Sequence, residues 1–171
     1  SVAASYTDGY GTQETVRSAA TAAVSNVNDI PTGTVTILGT ATQGEVLTAG
    51  NDLADTDGLG AVNYTWYAGE TVVGTGETLT LTQAEVGQQI SVAASYTDGF
   101  GTVESVRSTA TESVANVNDI PTGTVTILGT ATQGEVLTAG NDLADVDGLG
   151  AVSYTWYAGE TVVGTGETLT L

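Results

Sequence analysis

Three aspartates, Asp52, Asp55 and Asp57, fall within six residues of the segment AGNDLADTDGLG (Ala49–Gly60). The same cluster returns as Asp142, Asp145 and Asp147 in AGNDLADVDGLG. Asp55-Thr56-Asp57-Gly58 has the D-x-D-G form of many calcium loops, but no glutamate follows at EF-hand spacing. A second oxygen-bearing motif, NVNDIPTG, supplies Asn28 and Asp29 and again Asn118 and Asp119. Hard oxygen donors with no nitrogen or sulfur ligands suit Ca²⁺, which takes six to eight of them. The chain has no histidine, cysteine, methionine or lysine. An imidazole base, a thiol nucleophile, a Cys/His zinc site and a Schiff-base lysine are therefore excluded. No acid is singled out in an apolar cleft, so the paired carboxylates give no reason to read a glycosidase, and the sequence reads as a non-enzyme.

Twenty acidic side chains face only Arg17 and Arg107, for a formal net charge of −18 over 171 residues. Binding to phosphate backbones or to anionic membrane surfaces needs clustered Lys and Arg, so nucleic acid and membrane are poor partners. No apolar run reaches the length of a membrane span. The hydrophobic fraction is nevertheless 40%, rich in Val and Tyr, with 23 glycines to make turns. That is the composition of a β-rich folded chain, not of a disordered acidic tail.

The chain is a tandem repeat. Ser1–Leu81 and Ser91–Leu171, offset by 90 residues, differ at nine of 81 aligned positions. Near-identical copies suit a protein whose output is length or valency. The only prolines, Pro31 and Pro121, lie in the two copies of NVNDIPTG. Proline fixes φ and donates no ladder hydrogen bond, so these segments read as stiff linkers. The expected organisation is residues 1–26 as the end of one repeat, 27–31 as linker and 32–116 as a complete repeat. Residues 117–121 then form a second linker and 122–171 the start of a further repeat.

Seven strand-like segments occupy the complete repeat: Thr34–Leu38, Glu45–Ala49, Ala61–Ala68, Thr71–Gly74, Thr78–Leu81, Gln89–Thr97 and Glu104–Val114. Period-two alternation puts Val62, Tyr64 and Trp66 on one face, and Ile90, Val92, Ala94 and Tyr96 likewise. Asn63, Thr65, Ser91 and Ser95 point the other way. The expectation is an all-β, seven-stranded Greek-key β-sandwich of a four-stranded and a three-stranded sheet.

In such a sandwich the loops after the second and sixth segments lie at the end where the linker arrives. Asp52, Asp55, Asp57 and Asp98 should gather there around Asn28 and Asp29, and Asp142, Asp145 and Asp147 around Asn118 and Asp119. Glu45, Glu70 and Glu85 fall at the opposite end. End-to-end stacking would set a glutamate floor against an aspartate roof, and a cation would turn that repulsion into a joint. A site within one loop is the alternative. For Asp8 and Asp98, each followed by glycine, an ordinary tight turn is favoured. Trp66 reads as core and not as a sugar platform. The Asn63-Tyr64-Thr65 sequon reads as chance, since Ser153 replaces Asn63 in the other copy.

The run VNDIPTGTVTILGTATQGEVLTAGNDLADTDGLGAVNYTWY, followed by LTLTQAEVGQQISVAASYTDG, resembles the immunoglobulin-like or cadherin-like repeats of large RTX-type, type I-secreted bacterial surface adhesins. NVNDIP resembles the calcium-bearing linkers of cadherin-like arrays. The resemblance implies an extracellular, cell-surface stalk that extends a terminal binding region and is stiffened by Ca²⁺ between neighbouring repeats of the same chain. It places Trp66 as the core tryptophan and Thr82–Gly87 as the turn between the fifth and sixth strands. RTX glycine-rich nonapeptides are absent. Two other readings stay open. One is a module binding glycan or protein, each repeat adding avidity. The other is a matrix filament in which half-repeats of neighbouring molecules complete one another head to tail.

Overall fold

The computed structural model describes residues 1–171, which form fourteen strands, one 3-10 turn and no α-helix. The first two strands, β1 (Ala3–Thr7) and β2 (Gln13–Arg17), make a hairpin standing alone. The complete repeat contributes β3 (Val35–Leu38), β4 (Val46–Asn51), β5 (Asn63–Ala68), β6 (Thr71–Thr75), β7 (Thr78–Thr80), β8 (Ile90–Thr97) and β9 (Val103–Arg107). The following segment repeats the first five of these as β10 (Val125–Leu128), β11 (Val136–Asn141), β12 (Thr155–Ala158), β13 (Thr161–Thr165) and β14 (Thr168–Thr170).

In the complete repeat the strands sort into a three-stranded sheet, β3-β4-β7, and a four-stranded sheet, β6-β5-β8-β9. Every ladder is antiparallel. One hydrophobic cluster joins the two sheets: Val35, Leu47, Ala49 and Leu79 from the first meet Trp66, Ile90, Val92, Ala94 and Tyr96 from the second. Trp66 is wholly buried and donates its indole N–H to the Gly76 carbonyl at 2.9 Å, so its one polar atom is satisfied inside the core.

The alternation expected from the sequence holds for β8, with one exception. Ser91 was placed outward but is buried, because Arg107 lies across it and donates Nε–H to Ser91 Oγ at 2.9 Å. The same guanidinium stacks 4.3 Å from the centre of the Tyr67 ring, reaches the Gly69 carbonyl and pairs with Glu70 at 3.3 Å. The repeat's single cation thus closes the outer face of the second sheet.

The last strand differs from expectation. The ladder of β9 stops at Arg107, and Ser108–Val114 continues through scattered backbone bonds with Val92, Ile90, Gln88 and Gly87. Thr111 explains part of this, since its hydroxyl accepts the Ile90 N–H that an eighth-strand neighbour would otherwise take. The chain then crosses to the first sheet's side, where Ala115 forms a parallel bridge with Thr42.

The final segment shows what the β8–β9 hairpin contributes. Asn63 and Tyr64 pair only with β8, and β12 correspondingly begins two residues later, at Thr155. Val35 is 5% exposed whereas its counterpart Val125 is 60% exposed. Trp156 stays buried, because Gly166 and β13 still cover it.

Candidate functional site at the inter-repeat joint

The linker is held at both ends by short-range chemistry. Gly33 ends it with φ +95°, and a Cβ there would lie 2.5 Å from the Asp52 carbonyl oxygen, so only glycine fits this close approach. Asp52 Oδ1 accepts both the amide N–H of Thr34 at 2.6 Å and its hydroxyl at 3.0 Å. These bonds, the backbone one foremost, hold the Asp52 carboxyl below the usual carboxylate range. Asp142 does the same for Thr124, the hydroxyl contributing most to its lowered pKa. Both aspartates are committed to starting the first strand, alongside reciprocal backbone bonds between Thr32 and Ala54.

Asp55 and Asp57 organise the loop above. Asp55 Oδ1 accepts the Asp57 N–H at 2.8 Å, and Oδ2 accepts the Tyr96 hydroxyl at 2.5 Å. Burial first, and then this bond and the nearby charges of Asp55, Glu104 and Asp98, hold the Tyr96 phenol well above its ordinary pKa. Asp57 Oδ2 accepts the N–H of linker residue Asp29 at 2.8 Å, and Asn28 donates to Glu104 on β9 at 2.7 Å. At the next linker Asp119 donates to Asp147 at 2.8 Å, Asp147 accepts through the same Oδ2, and Asp145 accepts the Asp147 N–H at 2.9 Å. Asn118 bonds only within its own linker, to the Asp119 carbonyl.

Asp98 is 6% exposed and closes the β8–β9 turn. Its Oδ1 accepts the N–H groups of Phe100 and Thr102, as a tight-turn aspartate should. Burial pushes its carboxyl up, but these N–H donors together outweigh burial and leave it below the ordinary value. Its Oδ2 is buried with no hydrogen-bond partner. The neighbouring Gly99 N–H binds the Asp57 carbonyl at 3.1 Å, which brings this turn against the buried Asp57.

The roof expected from the sequence is thus assembled from Asn28, Asp29, Asp55, Asp57 and Asp98, with Glu104 added. Asp52 is committed elsewhere. No three carboxylates converge on a single metal-sized point. Asp98 Oδ2, a buried carboxylate oxygen without a hydrogen-bond partner, is a donor of the hard kind that Ca²⁺ takes, and Ca²⁺ draws on amide and carbonyl oxygens as readily as on carboxylates.

The floor differs from the expected wall of glutamates. Glu85 is buried within its own 3-10 turn, Gln83–Glu85, where Oε2 accepts the N–H and hydroxyl of Thr82 in a capping box. Glu70 is paired with Arg107. What meets the linker is Gln43, in the turn between β3 and β4. Its Oε1 accepts the Val117 N–H at 3.0 Å, and its Nε2 donates to Asp119 Oδ2 at 2.9 Å. Asp119 is therefore bound from below by the complete repeat and from above by the next one.

Comparison with protein-family models, curated proteins and solved structures gave no match to this chain.

Proposed function

We propose that the chain is a run of extender repeats from the stalk of a large extracellular bacterial adhesin of the RTX type. Each repeat is then a seven-stranded Greek-key sandwich of immunoglobulin-like or cadherin-like kind. The strand orders β3-β4-β7 and β6-β5-β8-β9 and the central Trp66 support this. The observation that carries the reading is the two-sided capture of Asp119 by Gln43 and Asp147. A linker bound to both neighbours adds module lengths in line, whereas a free one lets the chain coil. The longest strand, β8, has eight residues, and at about 3.4 Å per residue it makes each module roughly 30 Å long.

Calcium is the proposed reinforcement. The residues that would hold it are Asp57 and Asp98, with oxygens of Asn28 and Asp29. Its chemistry there would be to neutralise buried carboxylate charge and to tie the linker to the loops above. Extracellular modules use sites with dissociation constants of about 10⁻⁴ to 10⁻³ M, which are filled outside cells and empty in cytoplasm. Small-angle scattering of the chain in millimolar Ca²⁺ and in chelator tests both parts. An extended particle is expected in each condition, longer and less variable with calcium. A coiled particle with freely swivelling modules in both conditions would overturn the extender reading.

A further inference from the structure

A hollow beside the start of β5 is present in both copies of the repeat. Val62, Asn63, Tyr64, Thr75 and Glu77 line it in the complete repeat, with a volume of about 520 Å³. Val152, Ser153, Tyr154, Thr165 and Glu167 line it in the next, with about 470 Å³. It exists because β6 leaves the sheet before β5 has begun. The chain turns at Gly76 with φ +98°, the Gly76 N–H binds the Tyr64 carbonyl at 3.0 Å, and the Gly76 carbonyl is drawn in to the Trp66 indole. Gly166 does the same with Tyr154 and Trp156. Asn63 and Tyr64 therefore have β8 on one side and no strand on the other. Strand alternation aims the N–H and C=O of Val62 to the same open side as the Tyr64 carbonyl, and neither makes a backbone hydrogen bond. The hollow is open in the complete repeat, where β8 and β9 are in place, and in the next one, which has a whole repeat before it. Neither a repeat's own last hairpin nor the repeat preceding it fills the space.

We infer that this notch is a docking site for an extended, lysine- or arginine-bearing segment of another protein, added as a short strand alongside Val62. Unpaired backbone groups at a sheet edge are what strand addition uses. The guest's charge follows from Glu77, whose carboxylate is exposed at the rim and makes no hydrogen bond or ion pair, as is true of Glu167 in the next copy. The net charge of −18 draws a cationic segment in and repels an acidic one. A second copy of the chain is a poor guest, because it carries the same charge and its only cations are Arg17 and Arg107, the latter already engaged by Glu70. Running antiparallel to β5, the guest follows the line that β6 abandons, so its N-terminal end lies against Thr75 and Glu77. The two notches differ in one lining residue, Asn63 against Ser153, which leaves the backbone groups and the carboxylate in both. Such a short pairing is weak at one notch, and a partner with two cationic segments gains by avidity. The site shares no residue with the linker joint and needs no calcium.

The test uses the whole chain in chelator and three short synthetic peptides rich in valine and threonine. One begins with two lysines and one with two glutamates. The third is the lysine peptide with N-methylated backbone amides, which cannot donate to a ladder. At a lysine-peptide concentration about ten times its dissociation constant, the Val62 amide should exchange with solvent about tenfold more slowly, in proportion to occupancy. Glu77→Gln should weaken that peptide about two- to fivefold, the range of an exposed charge pair. It should leave the fold intact, since the Glu77 carboxylate holds nothing within the chain. The glutamate and methylated peptides should leave Val62 exchange unchanged. No slowing at Val62 by the lysine peptide at any soluble concentration overturns the inference. So does equal slowing by the glutamate peptide, or an undiminished effect in Glu77→Gln. Binding of the methylated peptide as tightly as its parent also overturns it, because the contact would then be charge attraction without strand addition.

Discussion

Gln43 and Asp119, 76 residues apart in sequence, meet at 2.9 Å across the boundary between the complete repeat and its linker. Gln43 also accepts the Val117 N–H, so one side chain grips the linker at two points. Gln43→Ala should free both while leaving the core untouched. The expected outcome is a broader distance distribution in scattering and faster hydrogen exchange at the Val117 amide, which Gln43 accepts. The stability change should be about 1 to 2 kcal/mol, since one of the two bonds is neutral and the other ends on the Asp119 carboxylate. Unchanged exchange at Val117 would show that Gln43 does not set the joint.

Calcium should act through Asp98. At ten times its dissociation constant, a ligand bound only to the folded state adds about 1.4 kcal/mol. The melting temperature should therefore rise with added Ca²⁺ and fall back in chelator. Asp98→Asn keeps an oxygen for the Phe100 and Thr102 N–H groups but removes the charge beside Asp57. That variant should melt at the same temperature with and without the ion. A full calcium response in Asp98→Asn would assign the ion elsewhere.

The pH dependence follows from Asp52, Asp98 and Asp142, whose carboxyls are all held below their ordinary value. A carboxyl lowered in the folded state stabilises it above the unfolded pKa of about 3.9, and this contribution is lost as pH falls through the folded value. Stability should be flat from pH 7 to 5 and decline below about pH 4. Tyr96 gives the opposite limb, because its phenol is raised. Its contribution is complete below the unfolded pKa of about 10 and is lost as pH rises beyond it. Asp52→Asn should flatten the acid limb and leave the alkaline one, as followed by thermal melts across pH.

Thr82 and Glu85 satisfy one another reciprocally at the 3-10 turn before β8. Thr82→Ala should cost about 1 kcal/mol, the usual loss for a cap residue. Glu85→Ala should destabilise similarly and should not alter the calcium response. An altered response would return Glu85 to the joint.

The sheets were legible in the sequence because strand alternation is local: Val92, Ala94 and Tyr96 follow period two, and they are buried. The Asp55, Asp57 and linker grouping was legible because topology alone brings those loops to one end. Glu85 was misplaced although its signal was present, since Thr82-Gln83-Ala84-Glu85 is the capping-box spacing. Gln43 carried no such mark. A lone glutamine in a turn reads as solvated, and its partners lie 74 and 76 residues away. The burial of Ser91 was hidden for the same reason, as it depends on Arg107 arriving from another strand to lie across the outer face.

The parallel bridge between Thr42 and Ala115 has a mechanical consequence. The chain arrives at a repeat through Thr32, bonded to Ala54, and departs through Ala115, bonded to Ala41 and Gln43. Both attachments flank β3 and β4. Tension along an array would therefore cross each module through that one pair of strands, shearing the Ala115 bonds lengthwise while the Trp66 core is shielded. Single-molecule stretching should record one force peak per repeat, lowered when Ala115 is replaced by proline, which cannot donate to Ala41. A stalk built this way would resist being drawn out by flowing liquid at its seams before its centres.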